Sequence, residues 1–193
     1  RTYDVDGRRF AVVFELEVGK DVRGDVRPNV TMYVSKNAMP ADLSSFNLRS
    51  ENMAKLGFLS PWHRQIGGVM YPEGDKFMGK GLASFAQRMV EHHIKENWQK
   101  YENSHFLKIE PHEKFLLENT NLVSALSMLR KAGYEITGGV PVTEERKEIP
   151  GAEVMKLISE RLGEIPPGHS KPGTFHDMLG FWVRLRKPFS KIK

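Results

Sequence analysis

Hydrophobic and polar positions divide the chain into alternating stretches of period two and longer stretches of helical period. Residues 3–18 read as a hairpin, because Asp6-Gly7 is a type I′ turn signal and Arg9 to Val18 is rich in β-branched and aromatic residues. A polar loop over 19–27 leads to a second strand, Asn29 to Ser35. From Asn37 to Leu56 the pattern is mixed. Pro40 and Asp42 suggest a loop or helix start, and Ser50 is placed to cap a short helix running through Leu56. Arg64 to Tyr71 reads as a strand stopped by Pro72.

The clearest helix follows. Leu82, Phe85, Ala86, Met89, Val90 and Ile94 recur at spacings of three and four, with Arg88, Glu91, Lys95 and Glu96 largely off that stripe. His105 to Ile109 is the next strand, ended by Pro111. Asn121 to Ala132 is a second amphipathic helix, with Leu122, Ala125, Leu126 and Leu129 inward and Gly133 as its left-handed C-cap. Tyr134 to Thr137 is a strand, and Ala152 to Leu162 is a helix closed by Gly163. A Pro/Gly/His-rich loop spans 166–173, and Gly180 to Arg186 is a last strand that should pair with 134–138. Strand, loop, helix, strand, helix, strand implies crossover connections, hence an α/β fold with parallel or mixed pairing.

Composition narrows the class without naming a function. At 193 residues one domain is expected, with core 3–138, an insertion at 141–180 and a final strand at 181–187. No apolar run approaches the roughly 18 residues of a membrane span, so no membrane partner is expected. There is no cysteine, which excludes disulfides and thiolate chemistry and points to a cytoplasmic protein. The first residues, Arg1-Thr2-Tyr3-Asp4, hold neither a signal-peptide core nor an initiator Met, as in a trimmed or partial chain. The net charge is +5, with Arg184, Arg186, Lys187, Lys191 and Lys193 forming what reads as a solvated basic tail. Such a balance suits a phosphate-rich ligand, an acidic partner or nucleic acid.

Candidate chemistry concentrates before the long helix. Gly79-Lys80-Gly81 passes directly into it, and a helix start offers unpaired N–H groups and the positive end of the macrodipole to a phosphate. No second glycine stands at dinucleotide spacing and no Lys-Ser/Thr follows, so neither a Rossmann nor a P-loop fingerprint is present. His92 and His93 are adjacent and diverge on a helix, no His-x-x-x-His pair exists, and no metal is expected. Ser84 and Ser127 lack a nucleophile elbow. Glu73 and Glu110, at strand ends, are the candidate proton acceptors, with His112 near the second. His169, Ser170 and His176 are candidates to line an acceptor pocket.

Met78-Gly79-Lys80-Gly81-Leu82-Ala83-Ser84 resembles the coenzyme A pyrophosphate loop of the GNAT N-acetyltransferase superfamily, Gln/Arg-x-x-Gly-x-Gly/Ala. Met78, Gly81 and Ala83 take the three motif places; a shifted alignment uses Lys76, Gly79 and Gly81. Ala125, Met128, Leu129, Lys131, Gly133 and Tyr134 fit a second family pattern in register, with Asn121 one residue early for its asparagine. The resemblance covers about 64–138. It implies a GNAT-like mixed central sheet flanked by helices, with a helix-containing insertion between the last two strands. It also implies acetyl-coenzyme A as co-substrate and transfer of its acyl group to an amine by direct attack. In that reading Val69, Met70 and Tyr71 hold the pantetheine arm, Met78 to Ser84 bind the pyrophosphate, and Asn121 bonds the cofactor. Leu129 stands where many members have a proton-donating tyrosine, and leucine donates no proton. The acceptor class stays open among small molecule, protein and nucleic acid, as does a homodimer. The alternative is the same fold without turnover, as a coenzyme A-binding or basic nucleic-acid-associated module.

Overall fold

Asp6 and Gly7 both have positive φ, 50° and 74°, and Val5 faces Arg8 across them. This is the two-residue type I′ connection, whose twist matches that of paired antiparallel strands. It joins β1 (Thr2–Val5) to β2 (Arg8–Lys20). β2 then pairs with β3 (Val26–Ser35), β3 with β4 (Met53–Ser60) and β4 with β5 (His63–Ile66). The computed structural model describes residues 1–20, 24–39, 50–61, 63–66, 74–77, 79–141, 147–163 and 173–193. The chain forms two compact units, Arg1–Ile94 and Lys95–Lys193, and each holds one five-stranded sheet.

In the first unit the strands lie in chain order, β1-β2-β3-β4-β5. Val12 faces Val34 and Val30 faces Leu59, and all four are fully buried. The short helix expected over 50–56 is not formed. Ser50–Asn52 is a single 3-10 turn, and Met53 already belongs to β4. Met, Ala, Lys and Leu favour helix in isolation, but pairing with β3 and full burial of Leu56 and Leu59 override so weak a preference. Helix α1 (Leu82–Glu96) buries Leu82, Ala86, Val90 and Ile94, one ridge of i, i+4 positions.

The second unit contains β6 (Leu107–Ile109), β7 (Lys114–Thr120), α2 (Val123–Lys131) and β8 (Glu135–Pro141), then β9 (Ile149–Pro150), α3 (Gly151–Leu162), α4 (Phe175–Leu179) and β10 (Phe181–Pro188). Its strand order is β6-β7-β10-β8-β9. β10 pairs with β8 as expected, and also with β7, antiparallel to both. β7 and β8, joined through α2, therefore run parallel but are not neighbours. The expected parallel or mixed pairing is corrected on this point: every pairing among the described residues is antiparallel. β7 itself was not expected. Leu116, Glu118 and Thr120 alternate on its buried face, and the carboxylate in their midst breaks the apolar period.

Two local signals are realised as read. Gly133 has φ 94°; its N–H donates to the Arg130 carbonyl (3.0 Å) and that of Tyr134 to the Leu129 carbonyl (3.0 Å). These are the two bonds of a Schellman motif closing α2. Helix α3 ends at Gly163 (φ 71°). It lies tightly on β8, since a Cβ added at Gly139 would come within 3.0 Å of Val154 Cγ2.

Candidate functional site

The Gly79–Ser84 loop hangs between two anchors. Before it, a 3-10 turn over Gly74–Phe77 buries Phe77, whose ring meets Phe10 edge-on at 5.5 Å. After it, Leu82 is buried and Phe85 packs edge-on against Phe14 at 4.6 Å, with the Arg1 guanidinium 3.7 Å above the Phe85 ring. The chain between these anchors reverses through two glycines of positive φ, Gly79 at 75° and Gly81 at 81°. Lys80 N–H donates to the Phe77 carbonyl (3.3 Å), and the Gly81 carbonyl accepts the first helical bond, from Phe85 N–H (3.0 Å). Gly81 is therefore the N-cap of α1.

Gly79, Lys80 and Gly81 are exposed, and among the described residues no atom outside the adjacent ones comes within 4 Å of where a Cβ on either glycine would stand. The backbone can be approached closely from outside. The N–H groups of Leu82, Ala83 and Ser84 have no backbone acceptor among the described residues. The first turn carries no acidic side chain. A helix N-terminus preceded by exposed glycines, with a lysine between them, suits a phosphate-bearing anion.

The remaining expected site residues lie outside the described residues or belong to the second unit. Val69, Met70, Tyr71, Glu73, Met78, His169 and Ser170 lie outside the described residues. Glu110 directly follows β6 and pairs with Lys108 Nζ at 2.8 Å. That hydrogen bond, more than any other influence, holds its carboxyl below the usual range, which makes it a weaker base. Asn121 is committed within its own unit. Its backbone carbonyl accepts from Phe175 N–H (2.7 Å) and its Oδ1 from His176 N–H (2.8 Å). Leu129 is fully buried on the inner side of α2, so no proton donor is presented at that place. Among the described residues no group of three or more His, Asp or Glu is placed to hold a metal.

Several buried polar groups escaped the sequence pattern. Glu91, expected off the helical stripe, is buried, and its Oε1 accepts from Gln87 Nε2 at 3.0 Å. The i, i+4 spacing of Gln87 and Glu91 was the available signal. The basic tail is not simply solvated. Lys187 is buried with Nζ 5.6 Å from the Tyr134 ring centroid, Arg184 pairs with Glu148 (2.7 Å), Lys191 pairs with Glu135 (2.5 Å), and Arg186 stacks 5.0 Å from Phe115.

No protein-family model, curated protein or solved structure matches the chain. No helix among the described residues is long and apolar enough to cross a membrane.

Proposed function

We propose that this protein is an N-acyltransferase of the GNAT kind, taking an acetyl group from coenzyme A and passing it to an amine. The observation that carries the reading is the loop at the start of α1: two exposed glycines of positive φ, with no described residue crowding them, and three amides behind them with no backbone acceptor among the described residues. The amides of Leu82, Ala83 and Ser84 would hold the pyrophosphate, with Lys80 adding charge. Acetyl-coenzyme A supplies the activated acyl thioester, so the chain's own task is to fix the cofactor's anionic end and keep an amine within reach. Glu110, tied to Lys108, is poorly suited to take the amine's proton, and Glu73 keeps that candidate role.

A second reading, a coenzyme A-binding module without turnover, is favoured by one observation. The place of the usual proton donor is filled by Leu129, which is wholly buried.

Isothermal titration of coenzyme A into the wild-type chain and a Gly81→Val variant tests binding. Valine at φ near 81° strains the loop, by about 1–3 kcal/mol, and crowds the approach to the amides. We expect the affinity to fall by about tenfold or more in a variant that still folds. Equal affinities would remove the loop from the binding site. Thiol release from acetyl-coenzyme A in the presence of amines then separates enzyme from module.

A further inference from the structure

The segment that returns from the 141–180 insertion is fastened to residues 121–123, and Asn121 holds it with both backbone and side chain. Gly173 to His176 runs alongside Asn121 to Val123. Val123 N–H donates to the Gly173 carbonyl (3.3 Å), Leu122 forms an antiparallel bridge with Thr174, and Phe175 N–H donates to the Asn121 carbonyl (2.7 Å). The Asn121 side chain adds a third hydrogen bond to the two that make this bridge, its Oδ1 accepting from His176 N–H at 2.8 Å. Thr174 is also the N-cap of α4. Thr174 Oγ1 accepts from Asp177 N–H (3.2 Å) while its hydroxyl donates to Asp177 Oδ2 (2.5 Å). The Asp177 carboxylate also lies 3.4 Å from His176 Nδ1, and the His176 ring is half exposed.

We propose that Asn121 is the anchor of this insertion, a positioning residue for the segment 173–176 and not a ligand of the cofactor. An amide side chain whose carbonyl is already spent on a backbone N–H is fixed in orientation and is a poor choice for a second, intermittent partner. The same residue bonds two successive amides, one with its backbone and one with its side chain. A backbone carbonyl is available at any residue, whereas the bond to His176 requires an acceptor one amide further on, which Asn or Asp supplies and alanine does not. The consequence depends on the acyltransferase reading, in which the insertion stands on the acceptor side. Asn121 would then set where His176 and the start of α4 are held, and so tune acceptor choice while leaving cofactor affinity alone.

The test uses the full chain, with hydrogen exchange at single amides and calorimetric titration of coenzyme A. In Asn121→Ala the His176 amide should exchange about fivefold faster or more, the effect of one lost hydrogen bond, while the Phe175 amide keeps its backbone acceptor. Asn121→Asp retains a side-chain oxygen and should restore the protection. Thr174→Ala removes the N-cap hydroxyl alone, so it should speed the Asp177 amide and leave His176 unchanged. Coenzyme A affinity should stay within about twofold in both Asn121 variants. Unchanged His176 exchange in Asn121→Ala, or a coenzyme A affinity reduced about tenfold, overturns the proposal. Should the wild-type chain not bind coenzyme A at all, the acyltransferase reading falls, and the exchange measurements still decide whether Asn121 is the anchor.

Discussion

In the first unit every strand pairs with its neighbour along the chain, whereas in the second the last strand, β10, lies between β7 and β8. The first sheet can be assembled by successive antiparallel pairings in chain order. The second cannot, because β7 and β8 sit on either side of a place that only Phe181–Pro188 fills. Both sheets bury polar residues among the apolar ones, Thr31, Ser35 and Ser60 in the first and Glu118, Thr120 and Lys187 in the second, where two of the three are charged. Chain-order pairing goes with neutral buried polar groups in one sheet, and a late central strand with buried charged ones in the other.

The largest break in this comparison should come at the centre of the second sheet. Leu185 is fully buried on β10, facing Glu118 on one neighbour and Ile136 on the other. Leu185→Ala should cost about 2–5 kcal/mol in chemical denaturation. Thr2→Ala, exposed on the edge strand β1, should stay within about 0.5 kcal/mol. Similar losses at the two positions would show that a central and an edge strand do not differ here.

A smaller loss is expected from Leu129→Tyr, which places a ring where no side chain is exposed. Overpacking should lower stability by about 1–3 kcal/mol. A thermal melt unchanged from wild type would mean that α2 has room on its inner side, and with it space for a proton donor.

Next come the two turn glycines, one in each unit. Gly7→Ala and Gly133→Ala each place a side chain at positive φ, 74° and 94°, at a cost of about 1–2 kcal/mol. The new methyl meets nothing within 4 Å at Gly7 and only Lys187 Cε, at 3.6 Å, near Gly133. Equal costs are therefore expected. A clearly larger one at Gly133 would mean that the C-cap also controls how Lys187 packs.

The smallest effect is electrostatic. The hydrogen bond from Lys191 holds the Glu135 carboxyl below its ordinary range. A carboxyl with a depressed folded-state pKa adds stability above its unfolded pKa and loses it as the pH falls through the folded value. Both groups are well exposed, so the gain is slight and salt-sensitive. Denaturation of Glu135→Gln should differ from wild type near neutral pH and converge with it in acid. A gap that persists or widens in acid would assign the loss to something other than this pair.

How much was legible follows the same division. The Asp6-Gly7 turn, the α1 ridge, the Gly133 cap and α3 are local devices, and the residues that make them stand side by side. β4 was misread as a helix because its residues tolerate either state and only β3, remote in sequence, decides. β7 was missed because Glu118 interrupts its alternation, and α4 because five residues carry little period. At the candidate site, the glycines could be read from their place before a helix. The engagement of Asn121 could not, since Phe175 and His176 lie more than fifty residues away.

The central place of β10 also bears on how the chain is made. The ribosome releases residues in order, at about 5–20 per second, and domains tend to fold as they emerge. By the time Ile66 is out, all strands of the first sheet are available. β7 and β8, by contrast, must wait until Pro188 has been synthesised, and for seconds each presents a bare edge where β10 will go. Unpaired strand edges are where nascent chains join one another. Slowing translation between residues 141 and 188 should therefore cost yield without altering the finished protein.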